Sequence, residues 1–249
     1  TKKKNNFSYN KKTGKKIAAL IAVHLYGLPC KIDEIKKICK KFNIILIEDA
    51  AEAMGSLFKG KHLGTFGQAG ILSFNGNKPI TCGGGGMIIT DNKNLAKKTL
   101  HLSTHAKKSN KPEHHHDDVG FNYRMTNLSA AVGCAQLEKI DQILNAKRKN
   151  YIMYSEYFKN NKYLSIFKEP INSKSNYWLV IGTLPNNKIK NDLLKLFRKK
   201  NIICRSIWRP LHTLRIFKKF PKDNLYSSQK IFKKAFNLPS SPSLNYKIN

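Results

Sequence analysis

A carboxylate and an amine stand in this sequence where two predicted strands end. Asp49 directly follows an apolar run, and Lys78 lies in the segment SFNGNKPITCGGGG, just past a second apolar run over Ala69–Phe74. Because Pro79 and Gly83–Gly86 exclude a helix there, we expect Lys78 on a loop between two strands. Ligands of open α/β sheets bind at the carboxyl ends of the strands. Asp49 and Lys78 are therefore candidates for one site.

Structural roles also explain each residue taken alone, because a lone Asp often caps a turn and one more lysine among forty means little. Lys78, however, stands in a run of low charge and high glycine content, and its neighbours Ser73, Asn75 and Asn77 can bind phosphate or hold a loop. An amine for a Schiff base, a carboxylate for a pyridinium nitrogen and a phosphate anchor are the minimum that pyridoxal phosphate requires. With Ser73 as the anchor, the sequence offers this set.

The elements that would position these residues form a parallel sheet. Ile17–Leu25 and Asn43–Ile47 are continuous apolar runs typical of buried strands, and the apolar spacing between them predicts an amphipathic helix over Lys31–Phe42. Strand, helix and strand make a right-handed βαβ unit with parallel strands. Two shorter strands and a helix follow, over Ala69–Phe74, Met87–Thr90 and Asn92–Ser103.

The second half of the chain has a different pattern of predicted helices and strands. A long helical stretch, continuous or broken, is capped near Thr126 and Asn127 and runs to about Phe158. Beyond it we expect strands over Tyr177–Leu184 and Ile202–Ile207 and helices over Ile189–Lys200 and Ser227–Phe236. We place a domain boundary within the long helix, which divides the chain into residues 1–145 and 146–249.

Composition limits the class of protein. The chain has 249 residues, 41% of them apolar, which suffices for one large domain or two modest ones. Its net charge of +31 is typical of nucleic-acid-binding proteins. Only six of the 46 cations are Arg, however, and the lysines are spread along the whole chain. We attribute the charge to compositional bias and keep a basic nucleic-acid-binding protein as an alternative.

Cysteine usage and apolar run length point to a cytoplasmic protein. Five scattered cysteines without a CxxC pair predict free thiols in a reducing compartment and no zinc site. The adjacent His114–His116 cannot easily converge on one ion, so we expect no metal. The longest apolar stretch, Ile17–Tyr26, is too short to span a membrane. The polar start is no signal peptide, and without an initiator Met we expect the chain to begin partway through a longer protein.

Three long motifs resemble the DegT/DnrJ/StrS family of pyridoxal-phosphate-dependent nucleotide-sugar aminotransferases. They are IEDAAEAMGS (47–56), GTFGQAGILSFNGNKPITCGGGGMIITD (64–91) and VGFNYRMTNLSAAVGCAQLEKID (119–141). The segments AVHLYGLPCKIDEI, SNYWLVIG, WRPLH and NLPSSPSL extend the resemblance over nearly the whole chain. It implies an α/β protein of fold type I, like aspartate aminotransferase. Such a protein has a large domain with a mostly parallel sheet and a small α+β C-terminal domain.

The resemblance also implies roles for residues of the large domain. Lys78 forms the Schiff base with the cofactor and then moves the proton, while Asp49 pairs with the pyridine nitrogen. Glu52 approaches the ring hydroxyl, and Ser73 binds the cofactor phosphate. Glu52, where many relatives have Gln, and the segment FNGNK followed by four glycines are similar to the branch that acts on UDP-linked 2-acetamido-2,6-dideoxy-4-keto sugars of bacillosamine-type and legionaminic-acid-type pathways.

Further implied roles concern a partner subunit and the substrate. Asn122 in GFNYR would reach the phosphate in the partner subunit's site, with Arg124 beside it, so the resemblance implies a homodimer with a shared active site. Arg209 and His212 in WRPLH would lie near the substrate. The implied reaction moves an amino group from L-glutamate to the keto carbon of a nucleotide-linked 4-keto-6-deoxy sugar.

The sequence departs from the family pattern at its start. Family members carry an N-terminal segment that supplies the first strand and helices, a second phosphate clamp and an aromatic ring stacked on the cofactor, so we expect an N-terminally truncated member. The alternative within the family is a protein that does not transaminate, either a sugar dehydratase or a regulatory binder. Dehydratases of this kind replace the lysine with His, and Lys78 argues against them.

Overall fold

The structure is a computed structural model that describes residues 2–4, 6–108, 113 and 115–247. The chain divides into two compact units. Unit 1 runs to Asp141 and includes Asn172–Ser175, and unit 2 comprises Gln142–Ile171 together with the chain from Asn176 onward. The predicted domain limits, 1–145 and 146–249, stay a prediction.

Unit 1 is built around a four-stranded sheet in the order β3-β4-β7-β8. The strands β3 and β4 pair in parallel, β4 and β7 pair in parallel, and β8 is antiparallel to β7. The predicted parallel strands and the helix between the first two are therefore confirmed. The elements of the unit are β1 (Lys2–Lys4), β2 (Phe7–Tyr9), β3 (Ala19–Val23), α1 (Ile32–Phe42), β4 (Ile45–Asp49), β5 (Leu57–Phe58), β6 (Lys61–His62), β7 (Ala69–Ser73), β8 (Gly86–Ile89), α2 (Lys93–Ser103), α3 (Asn127–Leu137) and β10 (Ser173–Lys174).

Local chemistry sets the ends of the helix between β3 and β4. Asp33 lies in the first turn of α1, and Lys40 and Lys41 lie in its last turn, so the charges complement the helix dipole. Asn43 ends the helix in the left-handed conformation with φ 49°, and its N–H returns to the last turn. The chain therefore turns directly into β4.

The apolar strands of unit 1 differ from the prediction in one respect. A continuous apolar run is typical of a strand covered on both faces, yet burial alternates along β3 and β4. Ala22 and Leu46 are buried, whereas Ile21 is 63% exposed and Ile45 is also exposed. Within the described residues, one face of this sheet is thus open to solvent.

Unit 2 contains an antiparallel sheet in the order β12-β13-β11-β9. Its core gathers around the fully buried Phe236, with Leu164, Val180, Leu184 and Leu238 against it. The elements are α4 (Ile140–Tyr157), β9 (Ser165–Ile166), β11 (Ile181–Thr183), α5 (Asn187–Lys199), β12 (Arg205–Ser206), α6 (Tyr226–Lys234) and β13 (Ala235–Asn237).

Several predicted elements of the second half have different limits in the structure. The strand predicted over Ile202–Ile207 is reduced to β12 (Arg205–Ser206), and the helix predicted over Ile189–Lys200 spans Asn187–Lys199. The long helix is broken into α3 and α4. The predicted strand over Tyr177–Leu184 begins only at Ile181, because Tyr177 takes a left-handed backbone with φ 44°. The predicted last helix ends at Lys234, and the chain continues as β13, because pairing with β11 and β12 buries Phe236 completely. None of the described helices combines the length and the apolar character that a bilayer crossing needs.

Candidate active site

The site is built on the edge of the sheet where the parallel strands end. Asp49 is the last residue of β4 and Ser73 is the last residue of β7, and the register pairs Val23 of β3 with Asp49. Parallel strands present their carboxyl ends at one edge. The sequence analysis therefore placed Asp49 and Ser73 correctly on this edge.

Lys78 lies in the loop between β7 and β8, as predicted, and backbone hydrogen bonds fix this loop. The Lys78 N–H donates to the carbonyl of Asn75 at 3.0 Å, and the Phe74 N–H donates to the carbonyl of Gly85 at 3.0 Å. Gly85 has φ +118°, and a Cβ there would come within 2.9 Å of Met125. At this position the positive φ requires glycine, whereas the Met125 methyl group is the end of a flexible side chain that can shift.

The amine of Lys78 faces two carboxylates. Its Nζ lies 3.9 Å from Oε1 of Glu52, and the side chains of Lys78 and Glu52 are only 11% and 13% exposed. Burial lowers the pKa of Lys78, while the charges of Glu52 and Asp49 raise it, and the net direction is downward. The structure therefore brings together the three ionisable residues that the sequence analysis assigned to the cofactor.

Backbone N–H groups hold both carboxylates in place. Glu52 Oε2 accepts a hydrogen bond from the N–H of Tyr26 at 2.6 Å, which leaves Oε1 directed at Lys78. Asp49 Oδ1 accepts from the N–H of Ala51 at 3.1 Å. Charge-assisted bonds of this kind restrict a carboxylate more strongly than neutral ones do.

The predicted phosphate anchor lies beside the same loop. Ser73 Oγ accepts a hydrogen bond from the N–H of Asn75 at 3.4 Å, and the Asn75 amide donates to Asn77 Oδ1 at 3.4 Å. These polar groups surround the start of the Lys78 loop. Phosphate binding by Ser73 stays a prediction.

Asn122 and Arg124 belong to unit 1, and both side chains are exposed. The backbone of Asn122 pairs with Thr104, and its neighbours Phe121 and Tyr123 stack with ring centroids 5.1 Å apart. An exposed side chain on a fixed backbone suits a residue that reaches into another subunit. The role of Asn122 in a partner's site stays a prediction.

Arg209 and His212 belong to unit 2, where both lie beside α6. His212 Nε2 is 2.9 Å from the amide nitrogen of Gln229, and the Arg209 guanidinium lies 5.9 Å from the ring centroid of Phe232. Both side chains thus lie against residues of the same helix, α6. Their predicted role in substrate binding stays a prediction.

The sequence analysis missed a buried pair next to Asp49. His24 and Glu48 are both 0% exposed, and His24 Nε2 lies 2.9 Å from Glu48 Oε2. Burial alone would raise the pKa of Glu48, but hydrogen bonds from His24, Gly64 and Gly67 outweigh it and lower that pKa. A histidine and a glutamate inside apolar runs were the available signal, because buried ionisable groups need partners.

The chemistry of these side chains fits pyridoxal phosphate. A half-buried amine that has a lowered pKa can react with an aldehyde. A carboxylate at the strand edge can pair with a pyridinium nitrogen, and the hydroxyl and amide groups around Ser73 suit a phosphate. Asp49, Glu52, Ser73 and Lys78 are thus the residues that would hold the cofactor.

The fold and this site define a pyridoxal-phosphate-type aminotransferase scaffold, and comparison with known proteins gives the family. Residues 9–247 match the DegT/DnrJ/EryC1/StrS aminotransferase family. The chain therefore belongs to this family.

Relatives and solved structures agree with this assignment. The chain is 36% identical to EpsN of Bacillus subtilis, a putative pyridoxal phosphate-dependent aminotransferase. The aligned region covers 94% of this chain and 61% of that protein. It is 37% identical to GDP-perosamine synthase of Escherichia coli O157:H7, over 92% of this chain and 62% of that protein. Helicobacter pylori PseC, an aminotransferase involved in the biosynthesis of pseudoaminic acid, superposes with a TM-score of 0.86 at 24% identity, over 92% of this chain and 62% of that one. The chain thus spans less than two thirds of the length of these relatives.

Proposed function

We propose that this chain carries the cofactor site of a pyridoxal-phosphate-dependent aminotransferase that converts a nucleotide-linked 4-keto-6-deoxy sugar to the 4-amino sugar, with L-glutamate as the amino donor. The observation that carries the proposal is the environment of the Lys78 amine at the strand edge. The amine is largely buried, and the carboxylates of Glu52 and Asp49 act on its charge. Family membership supports it.

Different residues of the chain would have different roles in this reaction. When bound, pyridoxal phosphate supplies an aldehyde that accepts amines and an electron sink for the carbon that loses its proton. Lys78 would bind the aldehyde carbon of the cofactor, and its Nζ would accept and return the proton that the reaction moves. Asp49 would hold the positive charge at the ring nitrogen, Glu52 would lie near the ring hydroxyl, and Ser73 would bind the phosphate.

The names of the relatives support a nucleotide-linked keto sugar. They include GDP-perosamine synthases at 37% and 38% identity and a UDP-4-amino-4,6-dideoxy-N-acetyl-β-L-altrosamine transaminase of Campylobacter jejuni at 30%. The net charge of +31 also attracts a diphosphate. Both UDP-linked and GDP-linked sugars therefore belong in the substrate test.

The enzyme would act as a homodimer in the cytoplasm. None of the residues of α3 is buried, although the helix is largely apolar, and Leu128 on it is 78% exposed. A helix that is apolar on all sides is ordinarily covered, and a second copy would cover it close to Asn122. All five cysteines are free thiols, which supports a reducing compartment.

The test is an absorbance spectrum of the protein with pyridoxal phosphate, followed by addition of glutamate. We expect the band of the lysine-bound cofactor in the wild type, its loss in Lys78→Ala, and bleaching by glutamate with release of 2-oxoglutarate. The aminated protein is then mixed with UDP-linked and GDP-linked 4-keto-6-deoxy sugars, and mass spectrometry follows the amino-sugar product.

Two results would overturn the proposal. A band that persists in Lys78→Ala would show that another group binds the cofactor. A wild-type band that glutamate leaves unchanged, together with loss of a hydroxyl from the sugar, would instead identify a dehydratase.

A further inference from the structure

The buried His24–Glu48 pair lies outside the set of residues that contact the proposed cofactor, and it is saturated with hydrogen bonds. Glu48 Oε1 accepts from the N–H groups of Phe66 and Gly67 at 2.5 and 2.6 Å. Its Oε2 accepts from the N–H of Gly64 at 2.9 Å and lies 2.9 Å from His24 Nε2. A fully buried carboxylate with four donors is a rigid anchor for every segment that contributes one.

The hydrogen bonds of His24 fix its tautomer. Its Nδ1 accepts from the backbone N–H of Cys30 at 3.3 Å, so Nδ1 carries no proton. The ring proton is therefore on Nε2, which donates it to Glu48. Both edges of the ring are engaged, and the ring has one orientation.

This ring closes the loop of residues 24–30, hereafter the His24 loop. At the start of the loop, the backbone N–H of His24 donates to the carbonyl of Asp49 at 3.0 Å. At its end, Cys30 is tied back to the ring. Between them, Ser56 Oγ donates to the carbonyl of Gly27 at 2.7 Å.

The closed loop presents one functional group to the site. Tyr26 takes a left-handed backbone, with φ 59° and ψ 21°, which is uncommon for a bulky residue and is held by its surroundings. In this conformation its N–H donates to Glu52 Oε2 at 2.6 Å, while Glu52 Oε1 lies 3.9 Å from Lys78 Nζ. A continuous chain of contacts thus runs from Glu48 through His24 and the loop to Glu52.

We propose that His24 is a positioning residue that keeps Glu52 opposite Lys78, by closing the His24 loop so that the Tyr26 N–H holds the Glu52 carboxylate. The proposal deepens the function proposed above and rests on it for its catalytic meaning. The contact between Glu52 and Lys78 is itself independent of any cofactor.

The same cluster has a second chemical interpretation, which the structure does not support. Cys30 Sγ lies 3.6 Å from His24 Nδ1, so Cys30, His24 and Glu48 resemble a thiol nucleophile with its base. Burial, together with the charge of Glu48, raises the pKa of Cys30 to about 11, which disfavours the thiolate. His24 therefore serves the loop and does not activate the thiol.

The test measures the titration of the Lys78 amine in the cofactor-free full chain. The wild type and the variants His24→Ala, Glu52→Gln and the double variant are labelled with acetic anhydride across a pH series, and mass spectrometry quantifies acetylated Lys78. Since Glu52 raises the pKa of Lys78, Glu52→Gln lowers the labelling midpoint. We expect His24→Ala to lower it as well, and the double variant to add nothing to Glu52→Gln, because residues that act through one contact are not additive.

Further variants separate positioning from loss of stability. Leu63→Ala removes a fully buried side chain beside the Gly64 anchor without touching the hydrogen-bonded chain, so it destabilises unit 1 and leaves the Lys78 midpoint unchanged. Glu48→Gln weakens the anchor at nearly constant volume and tests the same chain if His24→Ala does not fold. Circular dichroism verifies that each variant is folded.

The proposal is wrong if folded His24→Ala and Glu48→Gln both leave the midpoint unchanged, or if the shifts of His24→Ala and Glu52→Gln simply add. Failure of the aminotransferase function is recognised separately. In that case the wild type would form no lysine-bound band with pyridoxal phosphate, while the coupled titration of Lys78 persisted.

Discussion

Lys78 experiences two opposing influences, and the reaction needs both. Burial favours the neutral amine, which attacks a carbonyl carbon, whereas Glu52 and Asp49 favour the ammonium form, which can return a proton. A lysine held near the balance of these effects can serve as nucleophile, base and acid in turn. The two carboxylates therefore tune the same amine, although each is proposed to contact a different part of the cofactor.

Asp49→Asn should disable the reaction without unfolding the protein. An amide cannot neutralise a pyridinium nitrogen, and leaving one partner of a buried ion pair unpaired costs roughly 3–5 kcal/mol. We expect the rate of the glutamate half-reaction, measured by stopped-flow absorbance, to fall at least about a hundredfold. Asp91→Asn, at an exposed position after β8, serves as the matched control and should react like the wild type. Equal rates for Asp49→Asn and the wild type would contradict the role of Asp49.

Lys147 gives unit 2 a pH-dependent stability. Its ammonium is buried and donates to the carbonyls of Trp178 and Ser240 at 3.1 and 2.9 Å, and burial lowers its pKa from 10.5 to about 8. A depressed folded-state pKa means that the unfolded chain binds more protons between these two values. The free energy of unfolding therefore rises with pH from about 8 toward 10.5, by roughly 3 kcal/mol in full.

Lys147→Met should remove this contribution. We expect urea unfolding of the wild type, measured from pH 8 to 10, to shift to a higher midpoint relative to Lys147→Met as the pH rises. Lys149→Met, on the exposed side of the same helix, should run parallel to the wild type over that range. Parallel curves for Lys147→Met and the wild type would show that Lys147 titrates normally in the folded state.

The elements beneath the site are packed with little tolerance for added atoms. Gly70 is the second residue of β7 and the register partner of Glu48, whose carboxylate anchors the turn at Gly64. A Cβ at Gly70 would lie 2.1 Å from the carbonyl oxygen of Gly64, which is backbone and cannot move aside alone. The absence of a side chain therefore sets the distance between the strand and the turn.

Gly70→Ala should consequently destabilise unit 1 by about 1–3 kcal/mol, the usual range for overpacking. The measurement is the midpoint of urea unfolding compared with the wild type. Gly84→Ala is the matched control, because nothing lies within 4 Å of a Cβ there and its φ is not positive. A midpoint for Gly70→Ala equal to that of Gly84→Ala would mean that the turn at Gly64 shifts freely.

Long elements of this fold were predictable from the sequence, whereas of the two-residue strands in the described residues only β12 fell within a predicted strand. The strands β3, β4 and β7 coincide with apolar runs of several residues, and α1 has clear helical spacing. The strands β9 and β10 have two residues each, too few to show a period. At Ala235–Asn237 the helical spacing of α6 continues into residues that pair as a strand, because tertiary pairing overrides local preference.

The candidate site likewise has residues that were predictable from the sequence and residues that were not. Asp49 and Lys78 could be found because polar residues that follow apolar runs mark the edge where ligands bind. The network behind them could not be found, since Glu48 is anchored by the backbone N–H groups of Gly64, Phe66 and Gly67. Every residue type except proline has such a group, so no side-chain pattern reveals that it is a partner.

At the scale of the whole molecule, unit 1 leaves apolar surface uncovered in two places within the described residues. One is the open face of its sheet, where Ile21, Val23 and Ile45 are exposed, and the other is α3. Exposed apolar surface of this extent marks interaction sites. Of the two places, α3 directly follows the segment that carries Asn122 and Arg124, which connects it to the proposed shared site.

If a second copy of the chain packs on α3, substitutions on this helix should prevent dimerisation. Leu128 and Val132 are four residues apart and therefore lie on one side of the helix, and both are exposed. We expect sedimentation velocity to give twice the 28.4 kDa of one chain for the wild type and a single chain mass for Leu128→Glu/Val132→Glu, because two buried charges oppose an apolar contact. Ile203→Glu, at a comparably exposed apolar position of unit 2, should remain dimeric. A monomeric wild type would leave Asn122 without a partner's site to enter, and a dimer that survives both glutamates would place the interface away from α3.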